Sequence, residues 1–452
     1  MKNKKVYIIG IGGISLSALA VLLRDRGCLV RGSDMVCNER VETLRKKGFE
    51  IVIGHCKEYV EWADEIIYTS ALSDEDEDLV LARKSNKKVI SRAEALGELS
   101  RHYKTISVAG CHGKTTTTGL ISSIFLQLKE KPNIHIGGIL NQIHDNVCEG
   151  KSDVFITEAC EYKDSFLAID NYVAVILNIK PDHLDYFKTF DNVKKSFACF
   201  AENVRKNGKI IINGDDLSCR EIVQKHGEIC YTFGLSQSND YSTKNVVEYE
   251  NGKYMFDCFF KNQFFLQVKL PLYGAHNILN ALASIAVANF FGVEKEVIKK
   301  GIESFEGIAR RFEKVYADDN KLIIHDYAHH PDEIKASIEA GRKIKKRRII
   351  VAFQPHTFTR TRDFFDGFVS SLSLADEVWL LPIYPAREKP IKGVNSRKIY
   401  EKIKENGKKT RYFKNFDDIF DEIKSVDDNS LVLILGAGDI EEVANRIKNL
   451  HC

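Results

Sequence analysis

Two glycine-rich turns, each between an apolar run of strand length and a helical stretch, are the first features of this sequence with recognisable chemistry. In the second turn, backbone N–H groups could hold phosphate oxygens, Lys114 could reach the β- and γ-phosphates, and Thr115 could offer a hydroxyl to Mg²⁺. Val108 stands where a standard Walker loop has its first glycine, so the motif is a variant. A lysine at a helix N-terminus is unfavourable without an anion beside it, which favours an ATP site. The residues predicted to line the nucleotide are Gly110, Cys111, His112, Gly113, Lys114, Thr115 and Thr116.

The first turn lies near the start of the chain. Gly10, Gly12 and Gly13 would let the backbone turn tightly and approach a diphosphate at the N-terminus of the following helix. Asp34 ends the next strand, where a carboxylate can meet a ribose hydroxyl. Ser15 replaces the third glycine of the dinucleotide fingerprint, so the turn predicts a nucleotide diphosphate without specifying NAD. A tight strand–helix turn without a ligand is the alternative.

An acidic and an imidazole side chain follow two further strands of the middle section. Glu158 comes directly after the strand Val154–Thr157, and His183 lies in the segment after the strand Val173–Asn178. Because ligands gather at the carboxyl ends of parallel strands, we expect both residues at the edge that carries Lys114. A carboxylate there could hold Mg²⁺ directly or through water, although each residue alone would more often have no ligand.

Two polar segments in the last third of the chain also follow predicted strands. One is the run 325–331, in which Pro331 suits the first position of a helix. The other places Arg360 and Arg362 in or near the first turn of a helix, against its dipole, which favours a bound carboxylate or phosphate beside them. Pairing of these arginines with neighbouring aspartates is the alternative.

The order of elements predicts an α/β protein. Apolar runs of strand length alternate with helical stretches along most of the chain, the pattern of parallel sheets covered by helices, and one such helix is expected from about residue 115 to 129. Between Cys230 and Leu272 the runs alternate and are rich in aromatic residues, which predicts an antiparallel patch. The length of 452 residues exceeds what one core organises, and we divide the chain into the domains 1–103, 104–305 and 306–452.

Composition excludes several classes of protein. Hydrophobic residues make up 44% and charged residues 29%, which argues against a disordered chain, a fibre and a polytopic membrane protein. The net charge of +3 is scattered, so neither nucleic acid nor a membrane is expected as a partner. The 11 cysteines include no C-x-x-C pair, which favours a reducing cytoplasm over disulfides or structural zinc. The run Val6–Leu23 imitates a secretion signal, but its glycines interrupt it, and we expect no export.

Together the two turns and the polar segments resemble the Mur ligase family, over the whole chain from Gly10 to Asp439. The resemblance implies Rossmann-like N- and C-terminal domains around a central ATP-binding domain of P-loop type. It implies that Glu158 and His183 bind a second Mg²⁺ near the γ-phosphate, with Glu161 as the alternative to Glu158. The implied contacts with the rest of the nucleotide are His276 and Asn280 at the adenine, Arg311 at the phosphates and Asp326 at the ribose.

The remaining implied residues belong to the two other substrates. The segment with His356 and Arg360 resembles the part of alanine-adding members that binds the amino acid. Tyr327 and His329 would face the same amino acid, and His329 is the candidate base for its ammonium group. The turn at Gly10, Gly12, Gly13, Ser15 and Asp34 would hold the UDP-linked substrate, with Ser70 and Ala71 as further candidates at the end of the fourth strand.

The implied reaction is ATP-dependent formation of an amide between the carboxylate of UDP-N-acetylmuramate and L-alanine, through an acyl phosphate, in cytoplasmic peptidoglycan precursor synthesis. ATP and Mg²⁺ would be required, and the protein would be a monomer or a homodimer. A family member that attaches a preformed tripeptide to the same acceptor is the close alternative. Alternatives of other classes are an NAD-dependent oxidoreductase built on the first turn and a nucleotide-binding scaffold without activity.

Overall fold

The computed structural model describes residues 3–69, 72–250, 252–318, 320–344, 348–386, 388–426 and 429–450, with the side chain of residue 185 excepted. Ser70 and Ala71 lie outside the described residues. The chain forms two compact units. The first consists of Met1–Val246, Phe256–Leu270 and Ile278–Glu306, and the second of Val247–Met255, Pro271–Asn277 and Gly307–Cys452. Among the described residues, no helix has the length and apolar character needed to cross a bilayer.

The first sheet has five parallel strands. They are β1 (Lys5–Ile9), β2 (Leu29–Asp34), β3 (Glu50–Ile53), β4 (Glu65–Tyr68) and β5 (Lys88–Ser91), in the order β3-β2-β1-β4-β5. The helices between and after them are α1 (Ile14–Asp25), α2 (Glu39–Lys46), α3 (Lys57–Trp62), α4 (Glu77–Lys84) and α5 (Arg92–Ser100). The strand order reverses at β1, so the turn that follows β1 lies at the crevice where doubly wound sheets bind ligands.

The second sheet has ten strands in the order β15-β14-β13-β12-β11-β10-β6-β9-β7-β8. They are β6 (Lys104–Ala109), β7 (Asn133–Leu140), β8 (Asp145–Cys148), β9 (Val154–Glu158), β10 (Asn171–Ile176), β11 (Val204–Asn213), β12 (Cys230–Phe233), β13 (Tyr241–Glu250), β14 (Lys253–Phe260) and β15 (Gln263–Tyr273). Its helices are α6 (Lys114–Phe125), α7 (Leu184–Phe187), α8 (Phe190–Glu202), α9 (Leu217–His226), α10 (His276–Phe290) and α11 (Lys295–Glu303), with 3₁₀ segments at Tyr162–Ala168 and Gly227–Ile229. β6 pairs in parallel with β9 and β10, which brings the carboxyl ends of these three strands to one edge.

Two features of this sheet differ from the expectation. Helix α6 ends at Phe125 rather than near residue 129, because the following N–H groups of Gln127 and Leu128 bond three residues back and tighten the chain into a turn. The antiparallel hairpin of β7 and β8 was not predicted, since the pair Gly137–Gly138 interrupts the apolar pattern of a strand.

The antiparallel patch expected between residues 230 and 272 begins at β13. Only Lys261 and Asn262 separate β14 from β15, its neighbour in the sheet, and their φ angles are 49° and 63°. Positive φ at both central residues is the geometry of a two-residue type I′ turn, which connects antiparallel strands. The predicted patch is therefore confirmed for this pair.

The third sheet lies in the second unit and has the order β16-β17-β21-β18-β19-β20. Its strands are β16 (Glu313–Ala317), β17 (Lys321–Asp326), β18 (Arg348–Phe353), β19 (Glu377–Leu380), β20 (Lys409–Tyr412) and β21 (Ser430–Leu435). Only β16 pairs antiparallel, and the helices are α12 (Pro331–Arg342), α13 (Phe358–Asp363), α14 (Phe365–Leu372), α15 (Ser396–Glu405), α16 (Phe416–Ser425) and α17 (Glu441–Asn449). Apolar clusters cover both faces of this sheet, and the α/β class predicted for all three parts of the chain is confirmed.

Candidate active site

The turn after β1 is organised by its own carboxylate. The Gly12 N–H donates to Asp34 Oδ2 at 2.8 Å, and the Val36 N–H donates to Asp34 Oδ1 at 3.2 Å. Gly10 has a φ of 82°, and a Cβ added there would lie 2.8 Å from Thr69 Cγ2, so only glycine fits. Asp34 thus holds the turn backbone, and its contact with a ribose stays a prediction.

The first turn of α1 is anchored through Ser15. Gly13 precedes this helix without a side-chain cap. Ser15 Oγ lies 2.8 Å from His135 Nε2 and accepts from Arg92 Nη1 at 3.1 Å. Burial, with the nearby Arg92 guanidinium, lowers the pKa of His135 to about 4, so this ring is neutral at pH 7. Neither His135 nor Arg92 was predicted as a site residue.

The loop after β6 is held by Asn178, which follows β10. The His112 N–H donates to Asn178 Oδ1 at 3.0 Å, and Asn178 Nδ2 donates to the His112 carbonyl at 2.9 Å. Gly113 has a φ of 87°, and a Cβ there would lie 2.7 Å from Asn280 Oδ1. Burial, with nearby Glu161, raises the pKa of the Cys111 thiol to about 12, which keeps this loop residue protonated and unreactive. A polar residue directly after a central strand was the signal that could have identified Asn178.

Lys114 begins helix α6 and folds back onto its own loop. Its ammonium donates to the Gly110 carbonyl at 2.5 Å and to both carboxylate oxygens of Glu161, at 3.0 and 2.9 Å. Glu161 is only 1% exposed. Burial alone would lower the pKa of Lys114, but the Glu161 carboxylate outweighs it, so the pKa is raised. The anion expected beside this lysine is, in the protein itself, Glu161.

Thr115 and Glu158 come together as predicted. The Thr115 hydroxyl donates to Glu158 Oε2 at 3.2 Å, and the Gly137 N–H donates to Glu158 Oε1 at 2.6 Å. A hydroxyl and a carboxylate at this separation form a set of oxygen ligands of the kind that Mg²⁺ prefers. Thr116, the last residue of the predicted loop, is half-buried on α6.

His183 is at the same edge but beside the other glutamate. Its Nε2 lies 3.8 Å from Glu161 Oε1, and its ring packs on Tyr162 with centroids 4.8 Å apart. His183 has a φ of 51°, and Lys163 and Asp164 have φ of 53° and 56°. Such left-handed conformations of non-glycine residues are costly and concentrate at functional sites. The structure therefore places Thr115 with Glu158, and His183 with Glu161.

The two α10 residues predicted at the adenine differ in exposure. Asn280 is buried and lies against Gly113 of the phosphate loop, whereas His276 at the start of the helix is exposed. Asn280 therefore has a packing role at the loop, and adenine recognition by either residue stays a prediction.

In the second unit, four aromatic and imidazole rings form a continuous cluster. Ring centroids are 5.2 Å apart for Tyr327 and His329, 5.9 Å for His329 and His356, and 5.6 Å for His356 and Tyr384. Arg360 Nη1 lies 3.3 Å from His356 Nδ1. The four residues predicted to bind an amino acid are thus brought together, and Tyr384 is an unpredicted fifth member.

Arg360 and Arg362 have different surroundings. Arg362 is exposed and pairs with Asp363, its Nε lying 2.7 Å from Asp363 Oδ1. For Arg360, no carboxylate within ion-pair distance is found in the part of the chain that the structure describes. The alternative of simple surface pairing therefore holds for Arg362, while the Arg360 guanidinium can bind the carboxylate of a ligand.

The histidines of this cluster are neutral at pH 7. Burial, with His329 and Arg360 nearby, lowers the pKa of His356 to about 4. Burial also lowers the pKa of His329 to about 4, although Glu333 opposes the shift. His329 Nδ1 lies 2.9 Å from the Tyr327 carbonyl, so Nδ1 carries the hydrogen and Nε2 keeps its lone pair. A nitrogen with so low a pKa suits acceptance of a hydrogen bond from an ammonium group better than removal of its proton.

Asp326 and Arg311 lie next to this cluster in the sequence or in space. Asp326 Oδ2 accepts from the Ser337 hydroxyl at 2.5 Å, and burial raises the pKa of Asp326. The Arg311 guanidinium lies over the Tyr327 ring at 5.1 Å from its centroid. Arg310 and Phe312 beside it have φ of 65° and 47°, so this segment is strained. Contacts of Asp326 with a ribose and of Arg311 with phosphates stay predictions.

Family comparisons cover all three sheets. Residues 5–104 match the model described as Mur ligase family, catalytic domain, and residues 108–288 match the Mur ligase middle domain. Residues 310–438 match the description Mur ligase, glutamate ligase domain.

Individual relatives align over almost the full length. A protein named UDP-N-acetylmuramate–L-alanine ligase from Clostridium botulinum (strain Loch Maree / Type A3) is 42% identical over 451 residues, 99% of this chain and 98% of the relative. One of the same name from Caldanaerobacter subterraneus subsp. tengcongensis is 40% identical over 98% of this chain and 97% of its own. The crystal structure of a UDP-N-acetylmuramate-alanine ligase from Thermotoga maritima superposes with a TM-score of 0.84 at 27% identity, covering 99% of each chain. A murein peptide ligase from Psychrobacter arcticus shares the fold, with a TM-score of 0.72 at 22% identity over 99% of this chain and 98% of its own.

Proposed function

The chain belongs to the Mur ligase family, and from that premise we propose that it joins UDP-N-acetylmuramate to L-alanine at the expense of ATP. The observation that carries this function is the full-length match to named alanine ligases at 40–42% identity, which spans all three sheets. The reaction converts ATP, UDP-N-acetylmuramate and L-alanine into ADP, phosphate and UDP-N-acetylmuramoyl-L-alanine. It is a step of peptidoglycan precursor synthesis, and we place it in the cytoplasm on the cysteine usage described above.

We assign one class of ligand to each predicted domain. Domain 1–103 would bind the UDP-linked acid at the Gly10 turn, domain 104–305 would bind ATP, and domain 306–452 would bind the amino acid. The assignment of the UDP-linked acid to this turn is supported by the hydrogen bond from Gly12 to Asp34, which shapes the turn, and by the uncapped start of α1. The proposal extends the UDP site to Ser70 and Ala71.

In the central domain, the proposal rests on the loop that Asn178 and Gly113 shape. Its backbone N–H groups would hold the phosphates, and the Lys114 ammonium would exchange its Glu161 partner for β- and γ-phosphate oxygens. Phosphoryl transfer to the muramic carboxylate gives an acyl phosphate, and positive charge at the loop stabilises the charge that spreads over the transferring group.

Mg²⁺ belongs to this proposal because the ligand set fits it. The Thr115 hydroxyl and the Glu158 carboxylate lie 3.2 Å apart, and both are hard oxygen ligands. His183, which lies beside Glu161, would hold the second Mg²⁺, with Glu158 or Glu161 as the carboxylate. Bound there, the ion would neutralise charge on the phosphates.

In the C-terminal domain, we propose that Arg360 binds the carboxylate of L-alanine. The support is its position beside His356 and the absence of a carboxylate partner in the described part of the chain. His329 Nε2 would accept a hydrogen bond from the amino group of L-alanine and orient it. The rings of Tyr327 and Tyr384 would form the walls of the amino acid site. The amine then attacks the carbonyl carbon of the acyl phosphate and forms the C–N bond. The C–O bond to phosphate breaks, and the proton that the amine loses leaves with the phosphate or passes to solvent.

Amino donors distinguish this function from its alternatives. Phosphate release would be measured with UDP-N-acetylmuramate, ATP and either L-alanine or the preformed tripeptide. We expect phosphate with L-alanine and only a background rate with the tripeptide. A protein that uses the tripeptide and ignores L-alanine would be the recycling ligase. Reduction or oxidation of a nicotinamide cofactor without phosphate release would support the oxidoreductase.

A further inference from the structure

Strand β7 links the diphosphate turn to the carboxylate edge of the second sheet within one compact unit. Its residue His135 has Nε2 2.8 Å from Ser15 Oγ on α1 and Nδ1 2.9 Å from Thr157 Oγ1 on β9. Two residues later, the Gly137 N–H donates to Glu158 Oε1 at 2.6 Å. A three-residue stretch of one strand therefore contacts both the helix that follows the turn and the carboxylate at the phosphate loop.

The hydrogen bonds of His135 occupy both of its ring nitrogens. Nδ1 faces the Thr157 hydroxyl, which also bonds to the Glu158 carbonyl at 3.2 Å. Nε2 lies 2.8 Å from Ser15 Oγ, which accepts from Arg92, and 3.2 Å from the Ser15 carbonyl oxygen. His135 is 4% exposed. Strand β7 is therefore joined to the first turn of α1 through both the side chain and the backbone of Ser15.

A second bond anchors the same helical turn. Asn146 on β8 donates through Nδ2 to the Ile14 carbonyl at 2.7 Å and to the Ile136 carbonyl at 3.4 Å. Ile14 and Ser15, the first two residues of α1, are thus both tied to the β7–β8 hairpin. Because a hairpin hydrogen-bonded into a sheet is rigid, these bonds limit how far the turn can move relative to Glu158.

We propose that His135 is a positioning residue for the ligation: it fixes the diphosphate turn relative to the edge where ATP binds. This inference rests on the proposed function, in which the acid of the UDP-linked substrate must meet the γ-phosphate. His135 contacts no reacting atom and acts through Ser15 and Thr157. A misplacement of about 1 Å between reacting groups can lower the rate about 100-fold, so a small shift of α1 is enough.

The test uses the full chain and two variants of the contact. His135→Phe keeps an aromatic ring and removes the hydrogen bonds of both ring nitrogens. Thr157→Val removes the Nδ1 partner, together with the bond from Thr157 to the Glu158 carbonyl, at nearly constant volume. Tyr241→Phe is the matched control, because it removes a partly buried hydrogen bond of the same unit, from Asn289 Nδ2 at 2.7 Å, away from the site. Backbone amide exchange of the segment 10–24 is measured without substrates. The kcat and the KM for each of the three substrates are measured per folded molecule.

We expect exchange of the protected amides in the segment 10–24 to accelerate about tenfold or more in both variants and to stay unchanged in the control. For His135→Phe, kcat should fall about 10- to 100-fold, while the KM for L-alanine stays within about twofold. Unchanged exchange in a folded His135→Phe protein would overturn the proposal, and so would a kcat within about twofold of wild type. If the wild-type protein lacked ligase turnover while exchange accelerated in the variants, the proposed function would fail and the anchoring of the turn would stand.

Discussion

Glu161→Gln is the substitution that most sharply tests the ion pair at the phosphate loop. Glu161 contacts Lys114 through both carboxylate oxygens and is 1% exposed, so the change removes a buried charge at nearly constant volume. Two unit charges about 3 Å apart attract by about 5 kcal/mol at an effective dielectric constant of about 20. Removing one member of a buried pair costs about 3–5 kcal/mol of folding stability, and we expect a loss in this range for the substrate-free protein.

The same substitution should strengthen binding of a phosphate. In the wild-type protein, an incoming phosphate competes with Glu161 for Lys114 and is repelled by the carboxylate. If about 1.4 of the 5 kcal/mol is recovered, ADP without metal should bind about tenfold more tightly to Glu161→Gln. Equilibrium titration of ADP in the presence of a chelator measures this directly, and chemical denaturation measures stability.

Glu158→Gln is the matched control for this prediction. Glu158 lies at the same edge but bonds to Thr115 and Gly137 rather than to Lys114. Its loss should change metal-free ADP affinity by no more than about threefold, and should mainly weaken the dependence on Mg²⁺. Equal or weaker ADP binding by a folded Glu161→Gln protein would show that the lysine pair does not compete with phosphate.

The remaining predictions concern the amino acid site, the loop backbone and pH. Arg360→Gln should raise the KM for L-alanine about 30-fold or more and leave the KM for ATP within about twofold, because a charge-assisted bond to the amino acid is lost. Arg362 is paired with Asp363, so Arg362→Gln should have wild-type kinetics. An unchanged KM for L-alanine in Arg360→Gln would contradict the assignment. Gly113→Ala should weaken ADP binding about tenfold, because φ at Gly113 is 87° and the added Cβ would lie 2.7 Å from Asn280 Oδ1. Wild-type ADP affinity in this variant would show that the loop can relax. Folding stability should fall as pH drops from about 6.5 to about 4, because the pKa of His329 and His356 is about 4 in the fold and the unfolded chain binds more protons in that window. Denaturation of wild type and His356→Gln across this range should give a shallower slope for the variant, and equal slopes would count against the buried neutral ring.

Local patterns were enough to predict which side chains lie at the carboxyl edge of the second sheet. The two turns directly follow apolar strands, Lys114 begins the helix after the second turn, and Glu158 ends β9. These residues were singled out because parallel strands bring their carboxyl ends to one edge. Arg360 was identified because its position opposes a helix dipole. These inferences need only the order of neighbouring elements.

Tertiary contacts explain what the sequence did not predict. Glu161, which contacts Lys114, lies directly before a 3₁₀ segment with two left-handed residues, Lys163 and Asp164, a conformation that no residue pattern indicated. His135 contacts Ser15, which lies 120 residues earlier in the chain. Its strand was not predicted because the Gly137–Gly138 pair interrupts the apolar pattern. Asp34 ends its strand as expected. Its carboxylate is bonded to the turn rather than left open to solvent, because the Gly12 N–H lies 2.8 Å from Asp34 Oδ2.

One isotope measurement tests the central claim most directly. UDP-N-acetylmuramate labelled with ¹⁸O in its carboxylate is turned over with ATP and L-alanine, and the released phosphate is analysed by mass. Attack of the carboxylate on the γ-phosphate followed by amine attack predicts one ¹⁸O atom transferred to phosphate for each amide formed. Unlabelled phosphate, or release of phosphate without the alanyl product, would contradict the proposed ligation.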